Sequence, residues 1–384
     1  MDKRGDILVL GAGIGGLTAA LALHRRGHPV RVVEQADELA EVGAGLQISP
    51  NGGAVLRALG LGETLDALSV RARAVVLSDY RRPGDVLRLD LMRRPDQRYN
   101  LMHRADLIGL LHRAVQAAGI PIELGRRVAS VTPGARAIVR FGDGAEDSAA
   151  LVVGADGLHS VARAALNGAD KPFFTGQVAW RAVVPVSSPL PGEARVVMAP
   201  GKHLVCYPLR DGRLANLVAI REQAEWVAEG WHHDDDPANL RAAFADLRGP
   251  ARDLLDRVET VGLWGLFRHS VAGRWWGDGV AILGDAAHPT LPFLAQGANL
   301  ALEDAWVLAR CWDGSDGSLA AYQQARRDRA ARVIAAANRN AWKYHMRFPP
   351  ARGIGHVALR LAGALAPELM LRQFDWIYGE DVTA

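Results

Sequence analysis

Four short, mostly apolar runs in this sequence stop abruptly at glycine or at an acidic side chain. They cover residues 7–10, 30–33, 151–153 and 280–283, and they lead into Gly11, Glu34, Gly154-Ala155-Asp156 and Gly284-Asp285. Runs without polar alternation are typical of strands buried on both faces, as in a parallel sheet. Because open α/β sheets bind ligands at the carboxyl ends of their strands, these positions are candidate ligand contacts.

Apolar residues at helical spacing lie between the predicted strands. An alanine- and leucine-rich segment predicts a helix that ends near Gly27. Further helices are predicted at about residues 51–59, 107–119, 297–309 and 319–346, with two shorter ones that end near Tyr378. Strands that alternate with helices in this way predict an α/β domain with a parallel sheet.

The pattern changes between residues 173 and 275, where apolar and polar positions alternate in short segments punctuated by proline. Alternation predicts antiparallel strands, here at residues 178–184, 195–198, 203–208 and 214–220. A helical segment over 237–258 is expected to pack outside this sheet. We therefore predict a first domain from residues 1–73, 97–170 and 276–345, an interleaved second domain from 74–96 and 171–275, and a C-terminal helical segment from 346–384.

The first predicted strand runs into a glycine pattern, Gly11-x-Gly13-x-x-Gly16, that opens a helix. Gly11 permits a tight turn, Gly13 lets the backbone approach a pyrophosphate, and Gly16 allows close packing of helix on strand. Glu34, at the end of the second strand, is placed to accept hydrogen bonds from an adenosine ribose. This fingerprint predicts a dinucleotide site, and by itself it leaves NAD and FAD as alternatives.

The segment from Gly284 to Ala305 carries a second candidate site. Gly284-Asp285 ends a strand, Pro289 and Pro292 stiffen the segment that follows, and Gln296-Gly297-Ala298-Asn299 opens an apolar-periodic helix. The unpaired N–H groups and the positive dipole end of this helix favour a negatively charged group beside the prolines.

These motifs resemble those of the single-component (group A) FAD-dependent aromatic hydroxylases, the group of salicylate hydroxylase and 3-hydroxybenzoate 6-hydroxylase. The resemblance covers the glycine fingerprint, the DG-like motif Gly154-Ala155-Asp156-Gly157, and segment 284–305, which is similar to the GD motif and flavin loop of the group. It implies FAD rather than NAD. It also implies a p-hydroxybenzoate hydroxylase-like fold, in which a Rossmann-type FAD-binding domain is interleaved with a mainly antiparallel β substrate domain and followed by C-terminal helices.

The resemblance also implies roles for individual residues. The FAD contacts that it implies are Asp285 at the ribityl chain, the backbone of Gly297, Ala298 and Asn299 at the N1 and C2 edge of the isoalloxazine, and Arg104 and Asp156 at the pyrophosphate. A permanently charged, bidentate guanidinium suits a diphosphate. Gln47 lies in a segment that resembles the family segment beside the ribityl chain of FAD. Its side chain either contacts the cofactor or fixes the loop, and the two alternatives are equal.

His203 and Tyr207 are the candidate residues for substrate activation. On one strand they share a face and lie about 13 Å apart at the backbone, so they reach a small aromatic molecule only from opposite ends or across a bend. The resemblance supports this pair, since hydroxylases of 3-hydroxybenzoate and hydroxynicotinate carry His and Tyr at this spacing before a proline. A histidine titrates in the range needed to take a phenolic proton. Half-buried strand residues with satisfied polar tips are the structural alternative. Gln296 and Pro292 are further candidates beside the substrate.

Arginine supplies most of the positive charge of this chain, whose net charge is only +3. The run from Arg326 to Arg332 lies on a predicted helix, and we expect it to form a solvated face rather than a nucleic-acid surface. Arg181 is either a clamp for a substrate carboxylate or a structural arginine. His288 is expected to be structural.

Composition restricts the class of protein. Of 384 residues 49% are hydrophobic, so the chain can bury a large core. The apolar runs are far shorter than the ~20 residues of a membrane span, and we expect no signal peptide, no membrane or nucleic-acid partner and a cytoplasmic location. Only Cys206 and Cys311 are present, so neither a disulfide framework nor a cysteine-based metal site is expected. The oligomeric state is open, with a homodimer as one alternative.

The resemblance predicts an NAD(P)H-dependent monooxygenase that hydroxylates a small phenolic aromatic acid of the salicylate or 3-hydroxybenzoate type, with FAD as cofactor and NADH or NADPH and O2 as co-substrates. In that group a flavin C4a-hydroperoxide transfers electrophilic oxygen to the ring. A hydroxylated N-heterocycle of the hydroxynicotinate or urate type is the alternative substrate, and an FAD-binding protein with a non-hydroxylating redox role is the alternative function. A flavin-dependent halogenase is disfavoured because its Trp-x-Trp-x-x-Pro signature does not occur. NAD(P)H is expected to bind transiently, since no second glycine fingerprint occurs.

Overall fold

The fold was analysed in a computed structural model that describes residues 5–39, 44–225 and 234–384. In chain order its strands are β1 (Ile7–Leu10), β2 (Val30–Val33), β3 (Gly45–Ile48), β4 (Val70–Arg71), β5 (Ala74–Asp79), β6 (Asp85–Asp90), β7 (Asn100–His103), β8 (Ile122–Glu123), β9 (Val128–Thr132), β10 (Ala137–Phe141), β11 (Glu146–Ala149), β12 (Leu151–Gly154), β13 (Phe173–Pro185), β14 (Glu193–Ala199), β15 (Lys202–Leu209), β16 (Leu214–Glu222), β17 (Asp234–Asp235), β18 (Val261–Arg268), β19 (Trp276–Gly277) and β20 (Val280–Ile282).

The helices connect these strands and close the C-terminal end of the chain. They are α1 (Ile14–Arg25), α2 (Pro50–Ala58), α3 (Gly62–Leu68), α4 (Arg104–Ala117), α5 (Val161–Asn167), α6 (Pro237–Ala243), α7 (Pro250–Asp256), α8 (Gly297–Cys311), α9 (Asp316–Tyr344), α10 (Pro349–Leu365), α11 (Pro367–Arg372) and α12 (Asp375–Tyr378).

A six-stranded sheet forms the half of the fold that contains the glycine fingerprint. Its strand order is β19-β20-β12-β1-β2-β8. The pairs formed by β1, β2, β8, β12 and β20 are parallel, and only β19 is antiparallel. All four residues of β1 and of β12 are buried, which is why these runs contain no polar alternation. Helices α1 and α8 pack against each other, and α9 packs on α8.

An eight-stranded sheet forms the other half, in the order β17-β18-β13-β16-β15-β14-β5-β6. Its pairs are antiparallel except for β5 with β14. Strands β5 and β6 come from an early part of the chain and join strands from residues 173–268, so the two halves are interleaved. The predicted combination of a Rossmann-type sheet, a mainly antiparallel sheet and C-terminal helices is confirmed.

Several local predictions were wrong or incomplete. The helical segment predicted at 237–258 is two helices, because Gly249 adopts φ +73° and Pro250 starts a new helix. Strands β3, β7 and β18 were not predicted. The run from Arg326 was expected to be solvated, but Arg326 is buried at 1% exposure and the Arg329 side chain at 11%.

Candidate active site

A cleft of about 940 Å³ lies at the carboxyl ends of the parallel strands, near the upper end of the ~300–1,000 Å³ typical of small-molecule sites. Its floor is the glycine loop. Gly11 has φ +97°, and a Cβ there would lie 2.6 Å from the carbonyl oxygen of Ala155. A Cβ on Gly16 would lie 1.9 Å from the carbonyl oxygen of Gly11. Gly13 differs, because a Cβ there would have no described atom within 4 Å. Gly13 therefore leaves free space at the N-terminus of α1, where the backbone N–H groups favour a phosphate.

Two acidic residues at the strand ends line the cleft and also hold the surrounding backbone. The Glu34 carboxylate accepts hydrogen bonds from the backbone N–H groups of Ala12 at 2.7 Å and Ala36 at 3.0 Å. Asp156 accepts from the Ser160 hydroxyl at 2.5 Å and from the Val161 N–H at 2.8 Å, so it caps α5. Burial raises the pKa of Asp156, and these hydrogen bonds act in the opposite direction.

Arg104 and Asp285 also line the cleft. Arg104 is the first residue of α4, and its backbone N–H donates to the carbonyl of Ala44 at 3.0 Å. Asp285 lies in a 3-10 turn after β20, with its side chain accessible from the cleft. Desolvation by the surrounding protein raises the pKa of Asp285, while His288 and Arg104 act to lower it. The tertiary fold thus brings a cation and an anion from distant parts of the chain to one cavity.

The start of α8 faces the same cleft. Gly297 and Ala298 line it, next to Pro292 and to Ala295, whose φ is +52°. Asn299 is fully buried and points elsewhere: its side-chain amide donates to the carbonyls of Gln47 at 3.0 Å and Ala295 at 2.7 Å. Its side chain therefore fixes the geometry of the helix start.

Gln296 is the N-cap residue at the start of α8, and its side chain is held by hydrogen bonds on both sides. Its amide donates to the Ser49 hydroxyl at 2.9 Å, and its oxygen accepts from the Asn51 amide at 3.1 Å. It is 1% exposed and lines neither of the two cavities. Both ends of the side chain are thus engaged in a buried polar network.

A buried charged network underlies the Gly284-Asp285 turn. Asp304 is completely buried and accepts hydrogen bonds from His288 at 2.5 Å, from the Arg326 Nε–H at 2.8 Å and from the Gly284 N–H at 3.1 Å. Arg326 also pairs with Glu303 at 2.5 Å. Burial acts to raise the pKa of Asp304, but His288 and Arg326 outweigh it and lower that pKa to about 2. His288 is therefore structural in this geometry, and Arg326 stabilises the turn from beneath.

A second cavity, of about 550 Å³, lies between the eight-stranded sheet and the C-terminal helices. It meets the first cleft, which we call the cofactor cleft, at four residues that line both spaces: Gln47, Val205, Pro292 and Ala295. Most of its walls are aliphatic or aromatic, from β5, β6, β14, α10 and α11. We call it the aromatic-sized cavity, since its mostly apolar walls suit a small aromatic ring beside the cleft.

His203 lines this cavity, and Tyr207 lines the cofactor cleft on the other side of Val205. His203 is 1% exposed, and its ring lies 5.6 Å from that of Phe293 and 5.3 Å from that of Tyr344. Burial and the neighbouring His345 lower the pKa of His203 well below its usual 6.5. Burial raises the pKa of Tyr207. His203 is thus a neutral base, and Tyr207 a neutral phenol, at neutral pH.

Other residues take positions that sequence reasoning did not assign. Arg181, a candidate carboxylate clamp, lines the cofactor cleft, and its guanidinium lies 5.7 Å from the ring centre of Trp264. Gln47 stands between the two spaces and accepts a hydrogen bond from the Tyr99 hydroxyl at 3.0 Å. Tyr344 and His345, at the end of α9, contact His203. His345 is 142 residues away from His203 in the chain. No local signal in the sequence could have identified them.

The cleft fits FAD by the chemistry of its lining. The free space over Gly13, the N-terminus of α1 and the guanidinium of Arg104 suit a diphosphate. The carboxylates of Glu34 and Asp285 suit sugar and ribityl hydroxyls, and the start of α8 at Gly297 suits the electron-rich edge of a flavin. Because Pro292 borders both spaces, a flavin ring there would lie against the aromatic-sized cavity.

Comparisons with known proteins give the same result. A family model described as FAD binding domain matches residues 4–337. The chain is 38% identical over 359 residues to 3-amino-4-hydroxybenzoate 2-monooxygenase of Streptomyces cremeus, with 90% of this chain and 89% of that protein covered. It is 32% identical over 396 residues to 3-hydroxybenzoate 6-hydroxylase of Polaromonas naphthalenivorans (strain CJ2), with 98% and 96% covered.

Solved structures share the fold across almost the whole chain. The complex of Klebsiella pneumoniae HpxO with FAD and uric acid has a TM-score of 0.84 at 26% identity, with 96% of this chain and 95% of that chain covered. A salicylate hydroxylase substrate complex has a TM-score of 0.82 at 23% identity, with 100% and 97% covered. Within the described residues no helix is both long and apolar enough to cross a membrane. The chain belongs to the FAD binding domain family and is an FAD-dependent, single-component aromatic hydroxylase that uses NAD(P)H and O2.

Proposed function

We propose that this protein hydroxylates the ring of a small phenolic aromatic acid, of the 3-hydroxybenzoate or salicylate type. The observation that carries the proposal is His203, a buried neutral base in an apolar cavity that opens onto the cofactor cleft at Pro292. Oxygen transfer to an aromatic ring needs an electron-rich ring. A base that takes the phenolic proton supplies that electron density.

The aromatic-sized cavity supports this substrate class. Its apolar walls suit an aromatic ring, and three cationic side chains, Arg94, Lys343 and Arg352, belong to its lining. A cation within reach favours a ligand that carries a carboxylate. The curated relatives 3-amino-4-hydroxybenzoate 2-monooxygenase and 3-hydroxybenzoate 6-hydroxylase are named for such acids.

The roles follow from position. We assign His203 as the base for the phenolic hydroxyl and Pro292 as the wall between substrate and cofactor. Tyr207 lies on the cofactor side and, as a neutral phenol, can hydrogen-bond an oxygen near that boundary. Gln296 is a positioning residue, because its bonds to Ser49 and Asn51 hold the start of α8.

FAD would be held by the glycine loop, Glu34, Arg104, Asp156 and Asp285, with the backbone at Gly297 to Asn299 at the flavin edge. When bound, FAD takes electrons from NAD(P)H and activates O2. The protein's part is to orient the ring, to exclude water and to take the phenolic proton from it. Under this proposal residues 1–73, 97–170 and 276–345 form the FAD-binding domain, residues 74–96 and 171–275 the substrate domain, and residues 346–384 the C-terminal helical segment that closes the cavity.

A hydroxylated N-heterocycle is the second candidate substrate. The chain is 30% identical over 358 residues to 6-hydroxynicotinate 3-monooxygenase of Bordetella bronchiseptica (strain ATCC BAA-588 / NCTC 13252 / RB50). A ring hydroxyl of such a compound would present the same proton to His203. The cavity walls distinguish the two classes poorly, so a substrate panel must include both.

The test measures NAD(P)H oxidation, peroxide and hydroxylated product across hydroxybenzoates, aminohydroxybenzoates and hydroxypyridines. The proposal expects one phenolic acid to accelerate oxidation with little peroxide. His203→Ala should then lower product formation by about 10²–10⁴-fold with FAD content unchanged. Cys206→Ser, on the opposite face of β15, is the matched control. Full product formation by His203→Ala would remove His203 from the mechanism, and acceleration only by hydroxypyridines would favour the second candidate.

A further inference from the structure

Three side chains form a continuous hydrogen-bonded line from the aromatic-sized cavity to the protein surface. His203 Nδ1 lies 2.7 Å from His345 Nε2, and His345 Nδ1 lies 3.0 Å from Glu222 Oε1. Exposure rises along the line: His203 is 1% exposed, His345 is 4% exposed, and the Glu222 side chain is 34% exposed. Glu222 also pairs with the exposed Arg347.

The backbone holds these three residues together. Strands β15 and β16 pair so that His203 lies opposite Ile220, which places Glu222 at the end of β16. The N–H of Glu222 donates to the carbonyl of Gly201 at 2.9 Å, and the N–H of Gly201 donates to the carbonyl of His345 at 3.0 Å. Gly201 has φ +67°, a conformation that glycine adopts readily. The line is therefore fixed by sheet pairing and a tight turn, and not by side-chain contacts alone.

The outer carboxylate determines the tautomers of both histidines. Partial burial opposes ionisation of Glu222, but hydrogen bonds from Arg347 and His345 outweigh it and lower the pKa of Glu222. An ionised Glu222 can only accept, so His345 carries its proton on Nδ1. His345 Nε2 is then an acceptor, and His203 must donate from Nδ1. Because the hydrogen bond to His345 engages Nδ1, His203 Nε2 is left with a lone pair that can accept a proton.

We propose that His345 and Glu222 complete a proton relay that carries the phenolic proton of the substrate from His203 to solvent. This inference rests on the proposed function. The phenol gives its proton to His203 Nε2, His203 Nδ1 passes its proton to His345 Nε2, and His345 Nδ1 passes its proton to Glu222. One proton leaves the cavity, the substrate keeps the electron pair as phenolate, and both histidines end neutral. When the hydroxylated ring regains aromaticity, the reverse transfer returns a proton to its oxygen.

The surroundings favour a relay over storage of the proton. Burial lowers the pKa of His345 despite the opposing effect of Glu222, and it lowers the pKa of His203 further, so neither ring holds a second proton readily. The other ionisable groups that face the line are Tyr344, whose pKa burial raises to about 12, and Arg347 at the surface. Among the three residues of the line, Glu222 is the one that can accept the proton and exchange it with water.

The test uses Glu222→Gln and His345→Gln in the full-length holoenzyme, with the phenolic acid that the wild type hydroxylates. Asp246→Asn is the matched control, since Asp246 is a similarly exposed carboxylate that pairs at 2.6 Å with Lys202, whose side chain is not part of the line. Single-turnover product formation is measured from pH 6 to pH 10, together with the substrate dissociation constant. A glutamine keeps the hydrogen bond but cannot relay a proton.

At pH 7 both variants are expected to form product at least about tenfold more slowly than the wild type. Their substrate dissociation constants should stay within about twofold of the wild-type value. With a phenol that has no ortho carboxylate, such as 3-hydroxybenzoate, the deficit should shrink as the pH approaches the phenol's own pKa of about 10, where solvent removes the proton directly. Glu222→Ala should regain activity in formate, a small base that fits the vacated position. If Glu222→Gln forms product at the wild-type rate, or if its rate is lowered by the same factor at every pH, the relay is wrong, even though the wild type hydroxylates the phenol. A wild type that hydroxylates no phenol would instead refute the proposed function, and the relay with it.

Discussion

Replacing Asp304 by asparagine should destabilise the protein through its buried charges. The wild-type carboxylate is fully buried and accepts from His288, Arg326 and the Gly284 N–H. An amide has one acceptor oxygen, and its NH2 group must face one of these donors. Arg326 also loses one of its two carboxylate partners inside the core.

The magnitude follows from breaking a buried ion pair, which costs about 3–5 kcal/mol. The entropy of unfolding is roughly 2.1 cal/mol/K per residue, or about 0.8 kcal/mol/K for the 384 residues of this chain. The melting temperature of Asp304→Asn should therefore fall by about 4–6 °C. The Gly284-Asp285 turn should loosen with it, so FAD should be released at a lower temperature.

The assay is thermal unfolding followed by circular dichroism, with flavin fluorescence for FAD release and a fixed excess of FAD. Asp246→Asn, which removes a partly exposed ion pair, should change the melting temperature by about 1 °C or less. If Asp304→Asn also melts within about 1 °C of the wild type, the buried charges at Asp304 do not stabilise the fold as described.

The pH dependence has a definite sign. The folded-state pKa of Asp304 is about 2 and its ordinary value is 3.8, so its stabilising contribution is present above pH 3.8 and is lost as pH falls through 2. The difference between wild type and Asp304→Asn should thus be constant between about pH 5 and pH 8. Below about pH 4 it should narrow.

Two further predictions concern the cleft and the base. Gly13→Val places a side chain in the space meant for the diphosphate and should weaken FAD binding at least 100-fold in a fluorescence titration, roughly 3 kcal/mol, with the fold intact by circular dichroism. Gly353→Val, where a Cβ also meets no described atom but lies on α10, should bind FAD normally; equal loss in both would contradict the assignment. Because burial and His345 lower the pKa of His203, kcat/KM for hydroxylation should stay level from pH 8 down through pH 6.5, the usual histidine value, and fall only at lower pH. An acid limb with its midpoint above pH 6.5 would show that His203 is not the neutral base.

The nucleotide-binding half could be predicted from the sequence because its signals are local. The apolar runs at residues 7–10 and 151–153 have no polar alternation, and only strands buried on both faces tolerate that pattern. Gly11 and Gly16 are required by steric limits within a few residues of the turn. Two-residue periodicity placed His203 and Tyr207 on one face of β15.

Helical periodicity indicates which residues share a face but not what covers that face. The arginines from Arg326 onward were expected to meet solvent, yet Arg326 meets two carboxylates of α8. Likewise Gln296 lies at the predicted helix start, but its side chain points to Ser49, 247 residues away in the chain. Only the packing of α8 against α2 and α9 decides these directions.

The sequence, through the family motifs that it carries, determined the cofactor and the reaction class, and its two-residue periodicity placed His203 and Tyr207 on one face of a strand. The tertiary structure alone decided that His203 and Tyr207 serve adjoining spaces, that the C-terminal helices wall the aromatic-sized cavity, and that His345 and Glu222 connect the base to solvent. The physical reason is the range of the interactions. Turn sterics and strand burial act over a few residues, whereas a hydrogen bond between residues 142 apart exists only after both halves have packed.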